Sequence, residues 1–302
     1  MRHRTTRVLC ALKFCCKLDA LSYTHLRQEA QLASKVSHPF ILSPLAVSDS
    51  PGRAGNFSVL LPLCPGGDIL QLLKKQDGHV LSEESARSYG AMIILGLKAL
   101  HDKNLCYRDL KPENLLLQSN GYIRIADFGF TAPFTQCHKQ KVGTIMYLAP
   151  ELVQKQKHGA PVDWWALGCL LYEFVCGDSP FKREDDDASE AAILAHVAGA
   201  PLHVASTDAP ASSAEATAAP SASEALAALC GALLNPAQAE RLGSAESGGA
   251  AALQAHEWFA GFDWDACEAM TTPAPYVPPP LDAEDGDATL LELSSRCQQG
   301  FD

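Results

Sequence analysis

Apolar positions recur along the chain in two periods, and the switches between them predict where strands and helices lie. Val8 to Phe14 is a short apolar run of strand length, and Ala20 to Val36 carries apolar residues at helical spacing with Glu29 inside it. Phe57 to Leu63 reads as a second strand, closed by the turn residues Pro65, Gly66 and Gly67. Asp68 then stands at the N-cap of a helix over Ile69 to Lys75, where a carboxylate can accept from the unpaired N–H groups of the first turn. Ser82, Glu83, Glu84 and Ser85 open a long amphipathic helix to about Lys103, with Ala91, Ile94, Leu95, Leu97 and Leu100 on its apolar face. That helix is predicted to be the centre of a mainly helical lobe.

From Leu105 to Asp127 the pattern changes to short strands and tight loops, and Val162 to Cys176 is apolar enough for a wholly buried helix. Residues 200–223 are an Ala/Ser/Thr/Pro mixture with little to bury, read as a flexible low-complexity loop. His256 to Trp264 is the last folded-looking piece, followed by an extended proline-rich arm, Pro273 to Pro280, and an acidic tail. The expected division is 1–64, 65–260 and 261–302, with no internal repeat.

Composition narrows the classes. A 302-residue chain with 47% hydrophobic content can bury a large core. The net charge of −11 argues against a nucleic-acid footprint, but it is unevenly spread: 20 Lys and Arg against 12 Asp and Glu up to His158, and 4 against 23 beyond it. The basic half is expected to meet phosphates or acidic partners. Eleven cysteines without CxxC spacing read as reduced intracellular thiols, and no apolar run reaches the ~18 residues of a membrane span. The N-terminus MRHRTTR leads into a strand-like run rather than a signal core, so a cytoplasmic or nuclear location is expected.

The stretch Tyr107-Arg108-Asp109-Leu110-Lys111-Pro112-Glu113-Asn114 sets a carboxylate, an ammonium and an amide on one short loop. Phosphoryl transfer uses such a set: Asp109 can orient a hydroxyl and accept its proton, Lys111 can neutralise the moving phosphoryl group, and Asn114 can hold Mg2+. Asp127-Phe128-Gly129 follows thirteen residues after Asn114 and offers a second metal carboxylate. Upstream, Lys13 lies in a strand pattern and Glu29 lies sixteen residues on, in the next helix.

In this order the motifs resemble the eukaryotic serine/threonine protein kinases. The resemblance implies an α+β, two-lobed fold with a small β-rich N-lobe and a large helical C-lobe, and transfer of the γ-phosphate of ATP, with Mg2+, to protein substrates. It implies that Lys13 and Glu29 position the phosphates and that Asn114 and Asp127 bind metal. Phe128, Gly129, Arg108 and Thr144 would be structural, Glu151 would pair with Arg241, and Asp163 would hold the loop's backbone amides. The adenine site would have Ala11 as roof, Leu116 as floor and the linker Leu61 to Cys64 as edge, with the Pro62 carbonyl and the Cys64 amide as bonding groups. Tyr107 before Arg108-Asp109, Arg241-Leu242-Gly243 and the His256–Trp264 ending look like the AGC group, most of all its cyclic-nucleotide-dependent members. Asp68, Glu113 and Glu173 match acids that bind arginines upstream of the acceptor, so basic peptides are expected as substrates, and Phe130 suggests serine over threonine.

The sequence also departs from the pattern. No glycine-rich loop or pair of opening strands precedes Lys13; either the chain begins inside a longer one, the preferred reading, or the protein lacks that phosphate lid. Gln140 stands where the group has a phosphorylated threonine, which leaves Arg108 without that phosphate and Thr135, Lys139 and Lys141 as possible substitutes. Lys141, Ile145 and Met146 depart beside the peptide, and the tail from Cys297 to Asp302 has no aromatic hydrophobic motif. The competing reading is a pseudokinase-like scaffold with weak or no phosphotransfer. Regulatory input is not legible.

Overall fold

The structure is a computed structural model, described over residues 9–50, 55–137, 141–181, 193, 195 and 222–280. Val8, Lys139, Gln140, residues 200–221 of the low-complexity stretch and the tail from residue 281, Cys297 included, lie outside the described residues.

A three-stranded antiparallel sheet forms the first layer: β1 (Cys10–Cys16) and β2 (Ala46–Asp49) flank β3 (Asn56–Pro62), with Lys13 opposite Val59 and Ala11 opposite Leu61. Helix α1 (Ala20–Ala33) starts at Asp19, whose carboxylate accepts from Ser22 N. The helix buries Leu26 and Ala30 against Phe57 and Val59, a small core of its own. Since alternate strand residues share a face, the register that buries Val59 also turns Lys13 toward α1.

The second lobe holds the main core. Helix α2 (Ile69–Lys74) is capped by Asp68, and α3 (Glu83–His101) is capped by Ser82, as the sequence pattern predicts. Three two- or three-residue strand pieces follow: β4 (Leu105–Cys106), then the hairpin of β5 (Leu115–Leu117) and β6 (Ile123–Ile125). β7 (Ala132–Pro133) returns to pair with β4. A short helix α4 (Pro150–Val153) leads to α5 (Pro161–Cys176), which is buried almost throughout and ends at Gly177 in the left-handed conformation, φ 80°. Then come α6 (Glu224–Leu233), α7 (Gly249–Gln254) and α8 (Trp264–Glu268). Ser223, the last residue of the expected loop, is in fact the N-cap of α6. Gly168 permits the close crossing of α5 and α6, because a Cβ there would lie 2.9 Å from Leu233 Cβ.

The two layers are joined by backbone. Ile125 N donates to Phe40 O at 2.8 Å and Leu42 N to Ile125 O at 2.9 Å, so the segment after α1 is stitched to β6. Within the second lobe Asp68 bridges to Leu116.

Candidate active site

The site is assembled around α5. Its first turn presents Asp163, wholly buried, whose carboxylate accepts from Tyr107 N at 2.9 Å and Arg108 N at 2.7 Å, with His101 Nε2 at 2.7 Å. A buried anion needs such partners, and charge-assisted bonds to backbone amides hold a loop more rigidly than neutral ones. They sustain a conformation that a non-glycine residue adopts only under constraint, since Arg108 has φ 72°.

Next to that anchor, Asp109 is 4% exposed and fully engaged. Asn114 Nδ2 donates to its backbone oxygen and to Oδ2, both at 2.8 Å, Lys111 Nζ lies 3.0 Å from Oδ2, and Thr144 Oγ1 donates to Oδ1 at 3.1 Å. Lys111 also donates to Thr144 at 3.1 Å, so residues from two distant segments close a ring of bonds around one carboxylate. With its nitrogen committed to Asp109, Asn114 keeps its carbonyl oxygen for a cation.

Asp127 follows β6 with φ 55°, its Oδ1 accepting from Gly129 N at 3.1 Å and its carboxylate exposed to the cleft. The neighbouring Phe128 is buried, edge-on to Tyr107 with centroids 5.7 Å apart. Across the cleft Lys13 Nζ meets both oxygens of Glu29, at 2.7 and 2.9 Å. The cleft of about 280 Å3 is lined by Lys13, Glu29, Asn114 and Asp127 at its polar end, and by Leu42, Val59, Leu61 and Leu116 at its apolar end.

Of the expected adenine-site residues, Leu61 and Leu116 reach the cleft wall, whereas Ala11, Pro62 and Cys64 are not part of it. Ala11 pairs with Leu61 across β1 and β3, and Pro62 pairs with Cys10. Burial pushes the Cys64 thiol up to about 11. Leu42, Pro44 and Val59 line the cleft without having been singled out from sequence, because their place depends on contacts between distant segments.

The three acids expected to meet a substrate behave differently. Asp68 uses both carboxylate oxygens within its own turn, accepting from Gln71 N at 2.8 Å and Gln71 Nε2 at 2.9 Å. Glu173 accepts from the Tyr147 hydroxyl at 2.5 Å, and Glu113 is exposed nearby. Burial, reinforced by Glu113 and Asp178, raises Glu173 to about 7 against the lowering effect of the Tyr147 bond. Further out, Arg241 is wholly buried and forks onto Glu151 at 2.7 and 3.0 Å, with its guanidinium 5.0 Å over the Trp165 ring.

The polar end suits a magnesium nucleotide. Asp127 and the Asn114 carbonyl are hard oxygen donors, too few for an all-protein cage but typical of Mg2+ that shares its shell with phosphates. Lys13 supplies a cation for those phosphates, while the apolar end offers dry walls for a flat ring.

Residues 1–259 match the family model for the protein kinase domain. The chain is 34% identical over 276 residues to the cAMP-dependent protein kinase catalytic subunit of Dictyostelium discoideum, covering 89% of this chain and 38% of that protein. It is 33% identical over 265 residues to the cAMP-dependent protein kinase catalytic subunit 2 of Drosophila melanogaster, covering 86% and 68%. Against the mouse cAMP-dependent protein kinase catalytic subunit PRKX it is 31% identical over 298 residues, covering 97% and 76%.

Proposed function

The chain belongs to the protein kinase family, and from that premise we propose that it transfers the γ-phosphate of ATP to serine or threonine hydroxyls of proteins, with a preference for basic sequences. The observation that carries this reading is the closed ring around Asp109, in which Lys111, Thr144 and Asn114 fix one carboxylate, Asn114 itself lining the cleft that also carries the Lys13–Glu29 pair.

Asp109 takes the hydrogen bond of the incoming hydroxyl, Thr144 giving way at Oδ1, and so holds the acceptor oxygen in line. Lys111, already 3.0 Å from Asp109, balances the charge that builds up on the oxygens around the acceptor. Lys13 is kept pointing into the cleft by Glu29, and Asn114 with Asp127 offers oxygens to the metal. Bound Mg-ATP supplies the phosphoryl group and neutralises its charge. Glu113 lies close enough to Glu173 for the two charges to repel, and such a pair gives a guanidinium a charge-assisted seat, which supports the basic preference. The similarity to catalytic subunits does not favour a scaffold without phosphotransfer.

Among the described residues no helix is long and apolar enough to cross a membrane. The cysteine usage supports a reducing compartment, cytoplasmic or nuclear. The test is transfer from labelled ATP to a serine peptide with arginines before the acceptor, beside the same peptide with alanines there. Mg2+-dependent phosphoserine, faster on the arginine peptide, is expected; equal rates on both peptides would remove the basic preference, and absence of transfer would remove the activity.

A further inference from the structure

One buried cluster lies behind the site, and no step described so far uses it. His158, in the loop between α4 and α5, is 5% exposed and touches three segments. Its backbone N–H donates to Cys137 O at 3.1 Å, its Nδ1 lies 3.0 Å from Gln156 O, and its Nε2 lies 3.5 Å from Arg108 NH1. The two ring nitrogens thus have complementary partners: a carbonyl calls for N–H at Nδ1, which leaves the Nε2 lone pair facing a guanidinium. The same guanidinium donates through Nε to Phe130 O at 2.7 Å, just beyond Asp127-Phe128-Gly129. The Cys137 thiol shares the pocket, lowered by its contact with Cys106 first, against burial, and by the nearby Arg108 guanidinium.

We propose that His158 is a positioning residue for phosphoryl transfer, acting through Arg108: its imidazole seats the guanidinium that ties the segment after Asp127 to the backbone immediately before Asp109. Arg108 is the residue on which two constraints meet, its amide held by Asp163 and its side chain held beneath the segment that carries Phe130 and Cys137. A guanidinium that shifts in this pocket drags the backbone of Asp109 with it, and small displacements of a reacting group lower the chemical step more than binding. This inference rests on the proposed kinase activity, in which Asp109 orients the acceptor.

Three forms of the full chain test it: wild type, His158→Phe, which keeps a ring but has no acceptor, and His158→Gln, whose amide oxygen can accept from Arg108. Steady-state kinetics are read together with hydrogen exchange over residues 128–137. His158→Phe is expected to lower kcat about tenfold, the factor one hydrogen bond to a charged group supplies, with KM for ATP within about twofold. Exchange over 128–137 should accelerate in the same variant, and His158→Gln should restore both readings. Wild-type kinetics and exchange in His158→Phe, or a glutamine variant no better than phenylalanine, would overturn the proposal. If wild type transfers no phosphate, the activity reading fails, and the exchange comparison still decides whether His158 seats Arg108.

Discussion

Replacing Arg241 by methionine strips the partner from a carboxylate that has no access to water. Glu151 is 2% exposed and receives two guanidinium bonds, at 2.7 and 3.0 Å, while the same guanidinium satisfies Pro161 O at 2.8 Å and Asn235 O at 2.9 Å through its remaining donors. Removing one member of a buried pair costs about 3–5 kcal/mol, because the surviving charge stays desolvated and uncompensated. Whole-domain stabilities are about 5–15 kcal/mol, so the variant should be marginal. At roughly 2–4 °C per kcal/mol for a domain of this size, its melting temperature should fall by about 10 °C. Equilibrium urea unfolding followed by tryptophan fluorescence measures the change, helped by Trp165 lying under the guanidinium. Pairing Arg241→Met with Glu151→Leu should recover part of the loss, since replacing a buried ion pair by apolar groups is far less costly than breaking it. A single variant within about 1 kcal/mol of wild type would mean that the pair is solvated or dispensable.

Other outcomes follow from the site. Lys13→Met should reduce kcat/KM for ATP at least about a hundredfold, and Glu29→Gln by less, since glutamine keeps a hydrogen bond to the ammonium; initial rates against ATP concentration separate them. Asp163→Ala orphans two buried amides, Tyr107 N and Arg108 N, and should lower both melting temperature and kcat, as calorimetry and turnover on one sample would reveal. Glu173 binds a guanidinium only as carboxylate. Its raised value of about 7 means that it gains a proton as pH falls below that point, so KM for an arginine peptide should rise from pH 8 to 6 and flatten in Glu173→Gln.

How much could be read from the chain alone depended on whether a feature is local. Helices α3 and α5 were legible because their apolar periodicity is long and their caps, Ser82 and Gly177, are chemically marked. Strand β2 was not, since all four of its residues are exposed on a sheet edge and Ala46–Asp49 shows no buried alternation. Helix α6 was hidden by its composition, which continues the alanine-rich stretch before it, and only burial of Leu226, Leu229 and Leu233 sets it apart. At the site, the residues on the 107–114 loop and the 127–129 turn were readable because their spacing is fixed within a few bonds of chain. Their supports were not: His101 reaches Asp163 across 62 residues, and His158 reaches Arg108 across 50. Leu42 on the cleft wall was not legible for a related reason, because its place depends on packing between distant segments.

In the proposed reaction Asp109 orients the substrate hydroxyl, while nucleotide binds independently of it. Single-turnover transfer from labelled ATP by wild type and Asp109→Asn, with nucleotide affinity measured on the same samples, separates these two events. Affinities within about twofold and a chemical step slowed by at least about a hundredfold are expected in the variant. Transfer at the wild-type rate from Asp109→Asn would exclude that role for the carboxylate.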